Sequence, residues 1–327
     1  MLLINLLFII NCIAISINLN PEFNKWYNKH QEFLDSISSR FNITREEHFK
    51  QWFNNYIYVK EFNKLNKSYK LSINGKFSSL NNTILKKLLL NNRNSLNKNY
   101  IKKSNNIKPV NFNTQRNSDI TFDYRRDCSP IRDQQNCGSC YTFGSVGAIE
   151  CRLNMLYDKK FDLSEQQVVS CSQSYGNNGC NGGISYNVYE YILKNKLGYE
   201  EDFNYCACNQ QCKEIPKYVK ISSYKSTYGN ILESIANGPI DVAIDVVSSF
   251  SLYSSGYYYE TNCNTDPNLL NHEMVAVGYG YDENKNLFYI IRNSWGTDWG
   301  MDGYAYVYAG ICGIDSDPVE PFGCSLI

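Results

Sequence analysis

Histidine is scarce in this chain of 327 residues: there are three, and after residue 118 only His272. Any step in that long C-terminal stretch that calls for an imidazole therefore has one candidate. Long apolar runs are scarce as well. Only Met1 to Ser16 is mostly apolar, and it is shorter than the roughly 20 residues a helix needs to cross a bilayer. It ends in Ala14-Ile15-Ser16, small residues at the spacing a signal peptidase reads, with no Lys or Arg ahead of the apolar stretch. The reading is a cleaved signal peptide over 1–16. It excludes a membrane span and places a soluble product in the secretory pathway, in a lysosome-like vesicle or outside the cell.

Net charge is also lacking, with 32 Lys+Arg against 32 Asp+Glu. The balance conceals a split. Residues 17–118 hold 18 Lys+Arg and 6 Asp+Glu, a net of +12, and residues 119–327 hold 14 and 26, a net of −12. Equal and opposite charges suggest a basic piece that docks on an acidic body. The rival is a nucleic-acid-binding arm, but the lysines are scattered and no nucleic-acid fold motif accompanies them. A monomer without a nucleic-acid partner is expected.

Cysteine, by contrast, is plentiful. Thirteen cysteines suit an oxidising compartment. Cys12 leaves with the signal peptide. Of the rest, Cys140 stands out, inside Gln134-Gln135-Asn136-Cys137-Gly138-Ser139-Cys140-Tyr141-Thr142-Phe143, with His272 132 residues on and Asn293-Ser294-Trp295-Gly296 following 21 residues after that. From Cys140, the apolar residues Phe143, Val146, Ile149, Leu153 and Tyr157 recur at intervals of three and four. That pattern predicts an amphipathic helix with Cys140 at its N-terminal end. A helix N-terminus and an imidazolium both favour a thiolate over a thiol, whose ordinary pKa is about 8.5. Cys140 and His272 are thus a candidate nucleophile and base.

These residues resemble the papain family of cysteine proteases, whose mark is Cys-Gly-Ser-Cys-Trp/Tyr with His and Asn about 130–150 residues downstream. The resemblance runs from Phe122-Asp123-Tyr124-Arg125 through Leu163-Ser164-Glu165-Gln166-Gln167, Gly179-Cys180-Asn181-Gly182-Gly183, Gly238-Pro239 and Asn271-His272-Glu273 to Cys312-Gly313. Cys140-Tyr141-Thr142-Phe143-Gly144 and the Asn-rich composition are most similar to the amoebic branch. Tyr141 stands where Trp is usual, and Gly144 where many relatives have Ser or Ala.

The resemblance implies an α+β, two-domain papain-like fold: a helical domain, then a β-barrel-like domain, with the active site in the groove between them. Periodicity agrees in part. Ile240, Val242, Ile244 and Val246 alternate like a strand, and Leu287 to Ile291 and Tyr304 to Tyr308 also read as strands. The implied catalytic set is Cys140, His272, Asn293 and Gln134. Asn293 would fix the His272 tautomer beneath Trp295, and Gln134 would donate to the oxyanion with the Cys140 N–H. No cofactor or metal is implied. The implied disulfides are Cys137–Cys180, Cys171–Cys212 and Cys263–Cys312. Cys128, Cys151, Cys206, Cys208 and Cys324 are left over, and Cys206 or Cys208 stands as an alternative partner for Cys171. Positions matching the second substrate pocket are Ile184, Ser185, Ala243, Leu270 and Asp317, and Gly183 would pair its backbone with the substrate. Asp317 at the pocket floor implies a preference for Arg; the rival is that Asp317 caps a turn outside the pocket.

The family also implies an inhibitory propeptide, here 17–118, ahead of a peptidase domain over 119–327. Phe23, Trp26 and Tyr27, then Phe49, Trp52, Phe53, Tyr56 and Ile57, predict helices within 21–64. Trp52, Asn55, Val59 and Asn63 fit the end of the family's propeptide helix pattern, while Thr44 and His48 stand where Glu and Arg are expected. In the next block Phe77 is kept, and Ser79 replaces an Asp. Asn42, Asn66 and Asn81 each open an Asn-x-Ser/Thr acceptor. Residues 91–118 read as an exposed linker, with the mature chain starting between about Thr114 and Ile120. Acid is expected to loosen the docking by protonating carboxylates of the body.

Five rival readings compete. Cys137 and Cys140 form a Cys-x-x-Cys that suits a redox centre, and with Cys206 and Cys208 they suit a zinc site. His272 is otherwise a structural core residue. Finally, the chain is a catalytically inactive papain-like binding protein, or an exopeptidase. No His-bearing insertion follows Cys180 and no exclusion segment is evident, so the chain reads as an endopeptidase acting on protein and peptide substrates.

Overall fold

The computed structural model describes residues 20–89 and 120–327. The signal-peptide reading, the linker and the mature start before Ile120 lie outside the described residues.

Three helices open the described residues: α1 (Pro21–Lys29), α2 (Gln31–Phe41) and α3 (Arg45–Lys64). Pro21 sits at the first helical position, where its missing N–H costs nothing, and Asn20 caps the N–H of Phe23. Thr44 and Glu47 form a reciprocal capping box on α3. So Thr44, at a position where Glu was expected, serves as the helix start. Phe23, Trp26, Tyr27, Leu34 and Trp52 bury together and hold the three helices as one unit. Asn55 Nδ2 donates to Ser78 O at 2.8 Å, and Asn63 bonds both backbone groups of Leu71. These amides tie α3 to strand β1 (Tyr69–Leu71) and to the 3-10 turn Lys76–Ser79. Helix α4 (Asn82–Leu89) follows.

The remainder has a helical part and a sheet part. Helix α5 (Cys140–Tyr157) is buried at fourteen of its eighteen positions, so it is a core helix rather than a surface amphipath; Tyr157, counted on its apolar stripe, is exposed. Helices α6 (Glu165–Cys171) and α7 (Ser185–Asn195) pack around it, and Tyr141, Val146, Ile149, Leu153, Val168, Val188 and Ile192 form their shared core. A short helix, α8 (Ile231–Ala236), precedes the central strand.

The strands are β2 (Ile120–Asp123), β3 (Val219–Lys220), β4 (Ser223–Ser226), β5 (Ile240–Ile244), β6 (Tyr253–Tyr258), β7 (His272–Tyr281), β8 (Leu287–Arg292), β9 (Tyr304–Tyr308), β10 (Val319–Phe322) and β11 (Ser325–Leu326). The main sheet runs β1-β6-β9-β8-β7-β5-β10-β4, with β2 beside β7. Strand β5 is buried at all five positions. Its alternation marks two different buried faces: Ile240, Val242 and Ile244 enter the sheet core, while Asp241 meets α5 at Ser145.

The N-terminal unit docks on the sheet part. β1 adds an antiparallel edge strand to β6, with Tyr69 opposite Gly256. Phe77, Leu80, Leu85 and Leu88 bury in the same cluster as Phe250, Leu252, Trp295 and Trp299. Among the described residues, the ion pairs crossing the junction are Lys29–Asp298 and Lys76–Asp133. Apolar burial, at about 1.5–3 kcal/mol for a side chain such as Phe77, therefore outweighs the exposed Lys29–Asp298 pair, at about 0–1 kcal/mol, while the Lys76–Asp133 pair engages a buried lysine.

Five disulfides are present among the described residues: Cys128–Cys151, Cys137–Cys180, Cys171–Cys212, Cys206–Cys208 and Cys263–Cys312. Cys206 and Cys208 pair with each other and leave Cys171 to Cys212. Cys140 and Cys324 lie outside the disulfides. Cys137 is committed to Cys180, so a Cys137–Cys140 redox pair is absent, and three of the four cysteines of the zinc reading are taken by disulfides.

Candidate active site

Cys140 is the first residue of α5 and is fully buried. The first turn carries no acidic residue, so nothing offsets the positive end of the helix dipole at the sulfur. The loop before it is fixed from outside. Gly138 N donates to Cys180 O at 2.9 Å beside the Cys137–Cys180 disulfide, and a Cβ on Gly138 would come within 2.7 Å of that same carbonyl. The disulfide thus clamps the turn that delivers Cys140.

His272 opens β7, opposite Ile244 of β5. Its Nε2 lies 2.9 Å from Asn293 Oδ1. A carbonyl oxygen can only accept, so Nε2 carries the hydrogen and Nδ1 is left as the basic nitrogen. Nδ1 is buried and has no hydrogen-bond partner among the described residues. Trp295 lies over the ring at 4.7 Å between centroids. Burial pulls the imidazole pKa down from 6.5 to about 4, against the opposing Asn293 hydrogen bond. In this covered site, His272 is neutral.

Gln134 joins the two sides of the site. Its backbone N–H donates to Ser294 O at 2.8 Å. Its side-chain oxygen accepts from Ser294 Oγ at 2.8 Å and Trp295 Nε1 at 3.2 Å, and its Nε2 donates to Cys137 O at 2.9 Å. The amide is thereby oriented with its nitrogen toward the cysteine loop. One hydroxyl here escaped the sequence reading: Tyr205 Oη donates to Gln134 O at 2.8 Å and lies 2.7 Å from Ser139 Oγ, with its ring edge-on to Phe143. Tyr205 is 65 residues from Cys140 in a loop without periodicity, and no local signal marks it.

Tyr141 is fully buried, and its hydroxyl donates to Gly179 O at 3.0 Å. Its ring explains Gly183: a Cβ there would stand 2.7 Å from Tyr141 ring carbons. Ile184 and Ser185, at the start of α7, are buried. Leu270 is buried and touches the loop at Gly313, where a Cβ would meet it at 2.5 Å. Ala243 lies across the β5–β7 ladder from Glu273, a fully buried carboxyl that the sequence reading had quoted only as part of a motif. Asp317 is half-buried and accepts from Tyr186 Oη at 3.2 Å. The structure thus ties Asp317 to the start of α7 and Leu270 to the Gly313 loop.

Comparison with known proteins gives a consistent result. The model of the family described as papain family cysteine protease matches residues 119–322. Cysteine proteinase 2 of Entamoeba histolytica is 36% identical over 315 residues, covering 92% of this chain and 94% of that protein. Mouse pro-cathepsin H is 30% identical, covering 89% of this chain and 87% of its own length. Among solved structures, the proform of a ragweed pollen cysteine protease superposes with a TM-score of 0.75 at 25% identity, covering 92% of this chain and 93% of that one. Digestive procathepsin L 3 of the Tenebrio molitor larval midgut gives 0.72 at 26%, covering 90% and 99%.

Proposed function

The chain belongs to the papain family of cysteine proteases, in proform, and from that premise we propose that it is a secretory-route endopeptidase whose Cys140 thiolate attacks peptide bonds. In this reading residues 17–118 are the inhibitory propeptide and 119–327 the peptidase domain. The observation that carries it is the convergence of Cys140 at the head of α5, the His272–Asn293 bond under Trp295, and Gln134 bridging both sides.

The chemistry follows from that geometry. Removal of the propeptide lets water and substrate reach the pair, and the thiol proton passes to His272 Nδ1. The sulfur adds to the scissile carbonyl. The amide nitrogen of Gln134 has a second hydrogen beside the one given to Cys137 O, and with the Cys140 N–H it holds the oxyanion. His272 then gives its proton to the leaving amine, and a thioester joins Cys140 to the acyl part. Water, losing a proton to His272, opens the thioester and restores the thiol. Asn293 keeps Nε2 as donor throughout, so Nδ1 is always the nitrogen that exchanges.

For specificity, Ile184, Ser185, Ala243, Leu270 and Asp317 line the second pocket, with Gly183 pairing to the substrate backbone, and Asp317 favours Arg there. Tyr186 Oη occupies one carboxylate oxygen of Asp317 and steadies it for a guanidinium. The enzyme acts as a monomer, without nucleic acid.

An epoxide thiol reagent tests the reading. Acid-matured protein should be labelled one to one at Cys140 and should cleave a peptide blocked at both ends. Absence of labelling would make it a papain-like binding protein; labelling with cleavage only of open-ended peptides would make it an exopeptidase.

A further inference from the structure

Two of the three histidines lie in the N-terminal unit, and the mechanism uses neither. His48, on α3, is fully buried. Its Nδ1 lies 2.8 Å from Ser79 Oγ, its Nε2 lies 3.1 Å from Ser38 Oγ on α2, and Tyr27 of α1 meets the ring edge-on at 6.1 Å. One imidazole therefore ties all three helices to the Lys76–Ser79 turn. Positions 48 and 79 are where the family resemblance led us to expect Arg and Asp. They touch, so an Arg and an Asp there would make a fixed ion pair; His and Ser make a neutral contact that titrates.

We propose that His48 is the acid sensor of this proform: its protonation loosens the Lys76–Ser79 turn and with it the propeptide's hold on the active site. This rests on the reading of residues 17–118 as the inhibitory propeptide. The charge has no carboxylate to meet it at the ring. Asp35 on α2 and Glu47 on α3 act on His48 only through space; Glu47 is exposed and committed to Thr44. Tyr27 presents a neutral ring, with Arg45 over it. In the neutral state one ring nitrogen donates and the other accepts; protonated, both donate, and both serine hydroxyls must turn their hydrogens elsewhere.

The turn has leverage on the site. Phe77 within it stacks edge-on to Trp295 at 4.9 Å, Lys76 pairs with Asp133 beside Gln134, and Trp295 covers His272. Burial holds the His48 pKa below 6.5, partly offset by Glu47, by the Ser79 backbone and by Asp35. The docking stability that neutral His48 gives is whole above 6.5 and is lost as pH falls from there toward the folded value. His30, in the same unit, donates from Nε2 to Asn74 O at 2.8 Å, and burial lowers its pKa as well.

The test compares the full-length wild type with His48→Gln, which bonds serines without titrating, and with His48→Arg/Ser79→Asp, which installs the ion pair and guards against a Gln variant that fails to fold. Two quantities are read at about pH 5 and about pH 7.5: the autoprocessing rate, and the thermal midpoint in a Cys140→Ser background, which needs no catalysis. The expected result is that the acid-to-neutral rate ratio collapses in a folded variant, and that the acid-induced drop in midpoint shrinks. A rate ratio or a midpoint drop equal to wild type in a variant that folds would overturn the proposal. If no version autoprocesses, the protease reading fails, and the midpoint arm alone decides the role of His48.

Discussion

The Gln134 side chain makes three bonds, and they separate a structural role from a catalytic one. Gln134→Glu keeps both acceptor bonds, from Ser294 Oγ and Trp295 Nε1; burial favours its neutral carboxyl, whose one hydrogen serves Cys137 O, so that only the hydrogen assigned to the oxyanion is lost. Gln134→Ala loses everything and strands two buried donors. An unsatisfied buried polar group costs about 1–3 kcal/mol, so the alanine variant should be about 2–5 kcal/mol less stable and melt roughly 5–15 °C lower. The glutamate variant should keep most of its stability. Removing an oxyanion donor lowers kcat by about 10²–10³-fold, about 3–4 kcal/mol, and both variants should show that loss with little change in KM, since the donor acts in the transition state. The assay is steady-state cleavage of a fluorogenic peptide by active-site-titrated, matured enzyme at about pH 6.5, within the range where free carboxyls and imidazole titrate apart. A glutamate variant with wild-type midpoint and kcat within about threefold of wild type would refute the oxyanion role of Gln134.

Two further outcomes are expected. Asp317→Ala should lower the Arg-over-Leu preference in kcat/KM by about tenfold or more, the worth of one charge-assisted hydrogen bond at about 1.5–3 kcal/mol; an unchanged ratio, measured with matched peptides, would assign Asp317 to its Tyr186 contact alone. In the Cys140→Ser proform, His272 has a folded pKa of about 4 against an ordinary 6.5; its contribution of about 3 kcal/mol is therefore present above pH 6.5 and lost progressively between 6.5 and 4. Urea midpoints across that range should fall in Cys140→Ser and fall less in Cys140→Ser/His272→Gln, and parallel slopes would contradict burial of a neutral ring.

Legibility from sequence followed contact range. The spacing from Phe143 to Leu153 announced α5, and the runs at 287–291 and 304–308 announced β8 and β9, because a periodic apolar face is a local property. Strand β1 has three residues and exists by pairing with β6, about 190 positions away, so nothing local announces it. Tyr205 and Glu273 reach the site through register and loop path, which a single sequence does not encode locally. The +12/−12 split pointed to docking but not to its agent: the described contacts that hold the N-terminal unit are mainly Tyr69, Phe77, Leu80, Leu85 and Leu88 in a shared core.

The departures from the family pattern, each opaque alone, are matched by the neighbours they touch. Gly144 stands where a small side chain was expected, and Asp241, nearly 100 residues away, fills that space: a Cβ on Gly144 would run into its carboxylate. Tyr141 replaces Trp and spends its hydroxyl on Gly179 O while its ring bars a side chain at Gly183. His48 and Ser79 stand in for Arg and Asp and meet at 2.8 Å. In a core packed at crystal-like density, a change of volume or charge is tolerated when its neighbour changes with it. Reverting one member alone should then be worse than reverting both. For Gly144→Ala the double change with Asp241→Ser should recover stability that the single change loses, a coupling of about 0.5–3 kcal/mol in a double-mutant cycle. Additivity of the two changes would mean that their contact places no constraint on the sequence.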